Sequence, residues 1–269
     1  MTPAGDRTID VTRMILGGAL GDAFGSFYEN RTGPCPYIEH DDWVLTDDTI
    51  LTLATAEALI ASTEFDLQQV AASFVHHFRH GRIIRLGSAT AKALQDLADG
   101  IDPRDSGATG ERSAGNGPAS RIAPLAICEE DFSAASKKRI RSLCAITHRN
   151  EEAYSGAVAV LAAIQGGICD GIEAALHVVP ASQTRDVLIA IKDLRDPIGK
   201  VAQITGTSGY TAESVPLALY VARMGETIGF KRAIIEACCC GGDADTIASI
   251  PAQPRPVLEE SPEPLAIGS

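Results

Sequence analysis

Long apolar runs are missing from this sequence of 269 residues. No stretch of about 20 apolar residues is present, so no membrane-spanning helix is expected. The opening residues, MTPAGDRTID, lack the basic-then-apolar order of a signal peptide, which makes a cytoplasmic location the expectation. Positive charge is scarce: 23 Lys and Arg stand against 35 Asp and Glu, a net −12. That sign works against general nucleic-acid binding and against docking on anionic lipid. A small anionic ligand is still compatible, provided the site supplies its own donors or metal ions. The seven cysteines contain no C-x-x-C pair, and Cys238, Cys239 and Cys240 are consecutive. Neither a disulfide framework nor a zinc site is built that way, so small, buried, reduced thiols are expected. No HExxH accompanies His76 and His80, and the basic run KKRIR at 137–141 reads as a solvated helix face. Convincing period-2 strand runs and solenoid-like repeats are missing as well.

What is present is ordinary globular composition, 45% hydrophobic and 22% charged, with helical periodicity throughout. Between Val11 and Phe27 the apolar residues recur in steps of three, four and one, tracing one helix face. Helices are also expected over Thr49–Ala61, Phe65–Phe78, Ala89–Leu97, Lys137–Ala145, Glu151–Ile164, Ser214–Ala222 and Phe230–Ala237. VLIAI at 187–191 is the best strand candidate, though it is short enough to be buried helix. The fold class is therefore all-α. Residues 100–118, rich in Gly, Asp and Ser, read as a functional loop. Five prolines from Pro251 onward predict a mobile tail over 251–269, after a domain spanning about 8–250.

Two short segments carry the chemistry. Thr46-Asp47-Asp48-Thr49 precedes the helix at Ile50, and Gly241-Gly242-Asp243-Ala244-Asp245-Thr246 precedes another apolar run. Each alone is explained by helix capping and by the dipole's preference for acids in the first turn. Together they offer carboxylates and hydroxyls, hard oxygen donors suited to Mg²⁺, Mn²⁺ or Ca²⁺. Four carboxylates in one place repel unless a cation accompanies them, which points to a di-metal site. Small residues at 17, 18, 21 and 25 predict close backbone approach by a second element. Glu29 follows that helix on a loop with Gly33, Pro34 and Pro36, placed to act as a base or movable ligand.

The ordered set GDAFGSFYE, TDDT, GNGPASRIAPLA, THRNEEAYSGA, GTSGYTAESVPLAL and GGDADTIA resembles the ADP-ribosylglycohydrolase family from about residue 11 to 250. The resemblance implies an all-α domain with a di-metal cleft at helix ends. It implies hydrolysis of an ADP-ribosyl linkage with two Mg²⁺ ions, Mn²⁺ being the substitute. Thr46, Asp47, Asp48, Asp243, Asp245 and Thr246 are then the metal ligands, with Glu29, Asp47 and Asp48 catalytic. Gly115, Asn116 and Gly117 match the loop around the diphosphate and distal ribose. His148 matches a pocket histidine, and Gly209-Tyr210 matches the segment whose aromatic ring covers adenine. Arg121 is expected to pair with a site carboxylate and hold it in place. The implied partners are an ADP-ribosylated protein or small-molecule acceptor and ADP-ribose as product, acted on by a monomer. The alternative is a non-catalytic, ADP-ribose-binding or crystallin-like member; a rival enzymatic reading is attack on another nucleotide or phosphoester.

Two departures stand out. Pro118-Ala119-Ser120 precede Arg121 where many relatives carry a small residue and Met. Pro251 follows closely on GGDADTIA where relatives continue, predicting a last helix of under two turns.

Overall fold

A computed structural model describes residues 4–253, except 63, 130 and 167–170. All regular elements among them are helical: α1 (Ala4–Gly25), α2 (Asp47–Ala61), α3 (Leu67–Arg79), α4 (Ser88–Ala98), α5 (Gly117–Ser120), α6 (Ala134–Ala145) and α7 (Glu151–Gly166), followed by α8 (Gly171–Val178), α9 (Gln183–Ile191), α10 (Ile198–Thr205), α11 (Thr211–Ile228), α12 (Phe230–Cys238) and α13 (Ala244–Ala252). Short 3₁₀ turns lie at Glu111–Ser113 and Ala123–Ile127. VLIAI, the strand candidate short enough to be helix, is the second half of α9. Leu188 and Ile191 are buried there at helical spacing while Ile189 is exposed. No helix among the described residues is long and apolar enough to cross a membrane.

Helix starts follow local chemistry. Thr46 accepts from the Asp48 N–H at 3.3 Å, and Asp66 accepts from the Gln68 N–H at 2.9 Å. Ser182 accepts from the Arg185 N–H at 3.2 Å. Each cap satisfies an N–H that the helix itself leaves unpaired.

The centre of the molecule is α7 crossing α11. Every residue of α7 from Ala153 to Ala163 is buried, the signature of a helix surrounded on all sides. Full burial of side chains such as Val158, Leu161, Val215 and Leu217 contributes roughly 1.5–3 kcal/mol each. α13, likewise buried along its length, packs against α11 and α1.

The contact that matters most for function is α1 against α13. A Cβ at Gly21 or Gly25 would overlap the carbonyl oxygens of Ala248 and Ala244, so only glycine permits this approach. The predicted role of the small residues in α1 is thus realised by the helix that follows GGDAD.

That last helix differs from expectation. It does not stop before Pro251 but runs through it to Ala252, nine residues in all. A proline here forfeits one hydrogen bond near the helix end, and packing offsets that loss: every residue of α13 is buried. Gln253 then donates from Nε2 to the Ser120 carbonyl at 2.6 Å. Residues 254–269, the rest of the expected tail, lie outside the described residues. No disulfide joins the described cysteines, of which only Cys144 and Cys238 are buried; Cys128 is exposed.

Candidate active site

The capping segment of α2 and the start of α13 meet. Thr246 Oγ1 donates to Asp48 Oδ2 at 2.6 Å across 198 residues of sequence. Ser120 Oγ, at the end of α5, donates to the other oxygen, Asp48 Oδ1, at 2.6 Å. Asn116 Nδ2 donates both to Asp243 Oδ2 and to Ser214 Oγ. Gly209 lies beside Asp243, as a Cβ placed on it would be 3.8 Å from Asp243 Oδ1. The Gly115–Gly117 loop and the Gly209–Tyr210 segment pair through the Asn116 N–H to the Gly209 carbonyl at 3.1 Å. Four chain segments therefore converge in one cluster that holds the acids.

The turn before α13 needs its two glycines. Gly241 and Gly242 have φ of 71° and 75°, the left-handed region that side chains disfavour. Through this turn the Gly242 N–H donates to the Arg31 carbonyl, and the Gly242 carbonyl accepts from the Asn30 N–H. The loop after α1 is thereby bonded to the strip that leads into Asp243.

Asp22 is a member of the cluster that the sequence reading did not single out. It is fully buried on α1. Its Oδ2 accepts from the N–H groups of Thr46 and Thr49 at 2.9 and 3.3 Å and from the Thr49 hydroxyl, so it anchors the start of α2. Its Oδ1 is buried with no partner. The available signal was an acid within the small, apolar face of α1, where a charge has no place unless something pairs with it.

Burial and mutual repulsion dominate the electrostatics. Burial first, then the Asp48 charge, raises Asp22 to about 6 and Asp243 to about 7. Burial, then Asp243 and Asp48, raises Asp245 to about 10. Asp47 is pushed well above the carboxylate range by burial and by Asp48, and burial also raises Asp48. Without added positive charge these groups cannot all be ionised.

Arg121 does not pair with a carboxylate as expected. Its side chain is only 1% exposed, and Nη2 donates to Thr147 Oγ1 at 2.6 Å. The guanidinium lies 5.4 Å from the Phe74 ring centroid, and Nε and Nη1 have no partner. Burial brings it down to about 10. Its charge still reaches Asp47 and Asp48 and favours their ionised forms. The reason for the difference is depth: Arg121 lies behind the cluster, where a hydroxyl and a ring face meet it.

His148 shares that layer. Thr147 Oγ1 is 2.7 Å from His148 Nδ1. That hydroxyl thus accepts from Arg121 and shares a hydrogen bond with the imidazole. Burial, then the Arg121 charge, lowers His148 to about 3, so the ring is neutral. Nε2 faces the glycine loop, 2.9 Å from where a Cβ on Gly115 would stand. Tyr210 begins α11 and donates from its hydroxyl to Gln183 Oε1 at 2.5 Å.

Glu29 sits at the edge of the cluster, its charge acting on Asp48, Asp243 and Asp245. It is not a free loop carboxylate. Arg85 Nη1 donates to Oε2 at 3.0 Å and Asn30 Nδ2 donates to Oε1 at 3.1 Å.

Among the described residues, no three of the His, Cys, Asp and Glu side chains already form a metal cage. Asp48 spends both oxygens on hydroxyl donors instead. The donor set nonetheless fits hard divalent cations: the oxygens are carboxylate and threonine hydroxyl, Asp22 Oδ1 is buried and unpartnered, and the carboxylates need positive charge to ionise together.

The molecule is an all-helical domain that gathers acids at two helix starts beside a glycine-rich loop. The sequence matches the ADP-ribosylglycohydrolase family over residues 5–253, and the chain belongs to that family. It is a hydrolase of that class. It is 27% identical to the ADP-ribosylarginine hydrolase Tri1 of Pseudomonas putida, over 89% of this chain and 67% of that protein. It is 25% identical to the human ADP-ribosylhydrolase ARH3, over 91% of this chain and 84% of that protein. Among solved structures, an ADP-ribosylglycohydrolase-related protein complex superposes with a TM-score of 0.62 at 25% identity, covering 92% of this chain and 86% of that one.

Proposed function

We propose that this chain is a divalent-cation-dependent hydrolase that removes ADP-ribose from a modified acceptor by cleaving the bond at the anomeric carbon of the distal ribose. The observation that carries this reading is the junction of Asp48 with Thr246, flanked by Ser120 on Asp48 and Asn116 on Asp243. It gathers two distant acid pairs beside a glycine loop within an ADP-ribosylglycohydrolase chain. Thr46, Asp47, Asp48, Asp243, Asp245 and Thr246 are the residues that would hold two Mg²⁺, or Mn²⁺. When bound, such ions neutralise the carboxylates and polarise water and ribose hydroxyls.

The protein's own groups account for the rest. The Gly115-Asn116-Gly117 loop and the Gly209-Tyr210 segment receive the ADP portion, where backbone N–H groups suit phosphate and the Tyr210 ring suits adenine. Neutral His148 turns its Nε2 toward that loop as a hydrogen-bonding group. Ionised carboxylates around the ribose favour the positive charge that develops as the bond to the acceptor breaks. Glu29 accepts a proton from the attacking water and returns it to the acceptor as that group leaves. The water oxygen ends on the anomeric carbon, releasing ADP-ribose.

The test is incubation with ADP-ribosylated arginine and serine peptides, in Mg²⁺ and in EDTA, while following free ADP-ribose. Release with Mg²⁺ that EDTA abolishes supports the proposal, and the preferred peptide identifies the acceptor. ADP-ribose binding without release on either peptide would favour the non-catalytic alternative.

A further inference from the structure

Among the described residues, two that are not glycine have left-handed backbone: Asn30 at φ 61° and Arg85 at φ 57°. They come from different parts of the chain, one after α1 and the other before α4. Both place a side-chain N–H on the same carboxylate. Asn30 Nδ2 reaches Glu29 Oε1 at 3.1 Å, and Arg85 Nη1 reaches Glu29 Oε2 at 3.0 Å. Arg85 Nη1 also donates to the Ser26 carbonyl at 2.6 Å, tying the pair to the end of α1.

Asn tolerates that region, but a long side chain such as Arg is strained there, and glycine is the residue that avoids the strain. Arg85 also serves the fold, through the Ser26 carbonyl. What both side chains share is Glu29. Left unheld, that carboxylate would be repelled from the edge of a cluster containing Asp48, Asp243 and Asp245.

We propose that Arg85, assisted by Asn30, is a positioning residue that fixes the reach of Glu29 at the rim of the acid cluster. The proposal rests on the reading of Glu29 as the proton acceptor. The ion pair is half-exposed, with Arg85 40% and Glu29 18% exposed, so its direct contribution to stability is small. Its effect is geometric: a base held at one distance from the attacking water keeps the productive arrangement populated.

The discriminating variant is Arg85→Gly, which removes the guanidinium and relieves the backbone strain together. On an ADP-ribosylated peptide, kcat is expected to fall roughly 10–100-fold with KM within about 2-fold. The melting temperature should stay within about 2 °C of the original protein, since strain relief offsets the added chain entropy. Arg85→Lys, which keeps the charge, should recover part of the loss. With Glu29→Gln already in place, Arg85→Gly should change kcat by less than about 2-fold, because the two act through one group.

A readout free of turnover is hydrogen exchange over residues 27–36, where the Asn30 N–H bonds the Gly242 carbonyl at 2.7 Å. Arg85→Gly should speed exchange there and leave α7 unchanged. Unaltered kcat and unaltered exchange would overturn the proposal. So would a kcat loss that tracks a lowered melting temperature, or one that persists undiminished in the Glu29→Gln background. If the unmodified enzyme releases no ADP-ribose, the hydrolase reading fails, while exchange over 27–36 still decides the contact: Arg85→Gly should add little to Glu29→Ala if Arg85 acts through Glu29, and a full further increase, showing action through the Ser26 carbonyl, would overturn the proposal.

Discussion

Asp22 shows how one side chain can serve two elements. Its Oδ2 takes the N–H groups of Thr46 and Thr49 and the Thr49 hydroxyl, so a residue of α1 acts as a cap for α2. Asp22→Ala should therefore cost about 2–3 kcal/mol in urea denaturation, the sum of a lost cap and stranded donors. Glu29→Gln is expected to behave in the opposite way. It keeps the shape and the Arg85 contact but removes the base, so ADP-ribose release should fall roughly 10²-fold or more with little change in melting temperature. An unaltered rate would make Glu29 a bystander. At this scale the acid pairs at 46–48 and 243–246 were legible because capping leaves a local pattern. Asp22 was not, since a single acid in a helix has no such pattern and its partners lie on another helix.

The two helices that touch most closely, α1 and α13, set the spacing of the acid cluster. α1 carries Asp22 and leads to Glu29, while α13 carries Asp245 and Thr246. Gly25→Ala would press a methyl group into the Ala244 carbonyl, one residue from Asp245. A loss of about 3 kcal/mol is expected from such overpacking, together with a loss of Mg²⁺ binding because the ligand-bearing end of α13 must shift. Chemical denaturation and Mg²⁺-dependent thermal shifts would measure the two effects separately. If stability falls while Mg²⁺ binding is untouched, the two helices do not set the spacing of the acids. Pro251 taught the reverse lesson: a local helix breaker was overridden because α13 is buried along its whole length.

For the whole molecule, the raised carboxylates make stability depend on pH in a defined direction. Asp22, Asp243 and Asp245 rise to about 6, 7 and 10 from 3.8, so the folded chain holds protons that the unfolded chain has released. Their contribution is complete below about pH 4 and is lost as pH rises through those values. His148, lowered to about 3 from 6.5, acts the other way and costs stability as pH falls below 6.5. In EDTA the melting temperature should therefore decline from pH 6 to pH 9. Added Mg²⁺ should raise it more at pH 8 than at pH 6, since cation and protons compete for the same oxygens. Asp245→Ala should abolish most of that rise. A Mg²⁺ effect equal at both pH values would show that the acids bind no metal.

By itself the sequence determined the class of architecture, most helix positions and the two acid-bearing segments, because periodicity and capping act within a few residues. It also carried the family, through six ordered blocks. Only the tertiary structure decided that Thr246 reaches Asp48, that Asp22 anchors α2, that Arg121 sits behind the cluster on Thr147 and Phe74, and that Arg85 holds Glu29. Those contacts join segments far apart in the chain, and their geometry follows from how closely glycine lets α1 and α13 approach and how α7 and α11 fill the core. No spacing along the chain encodes such distances; packing does.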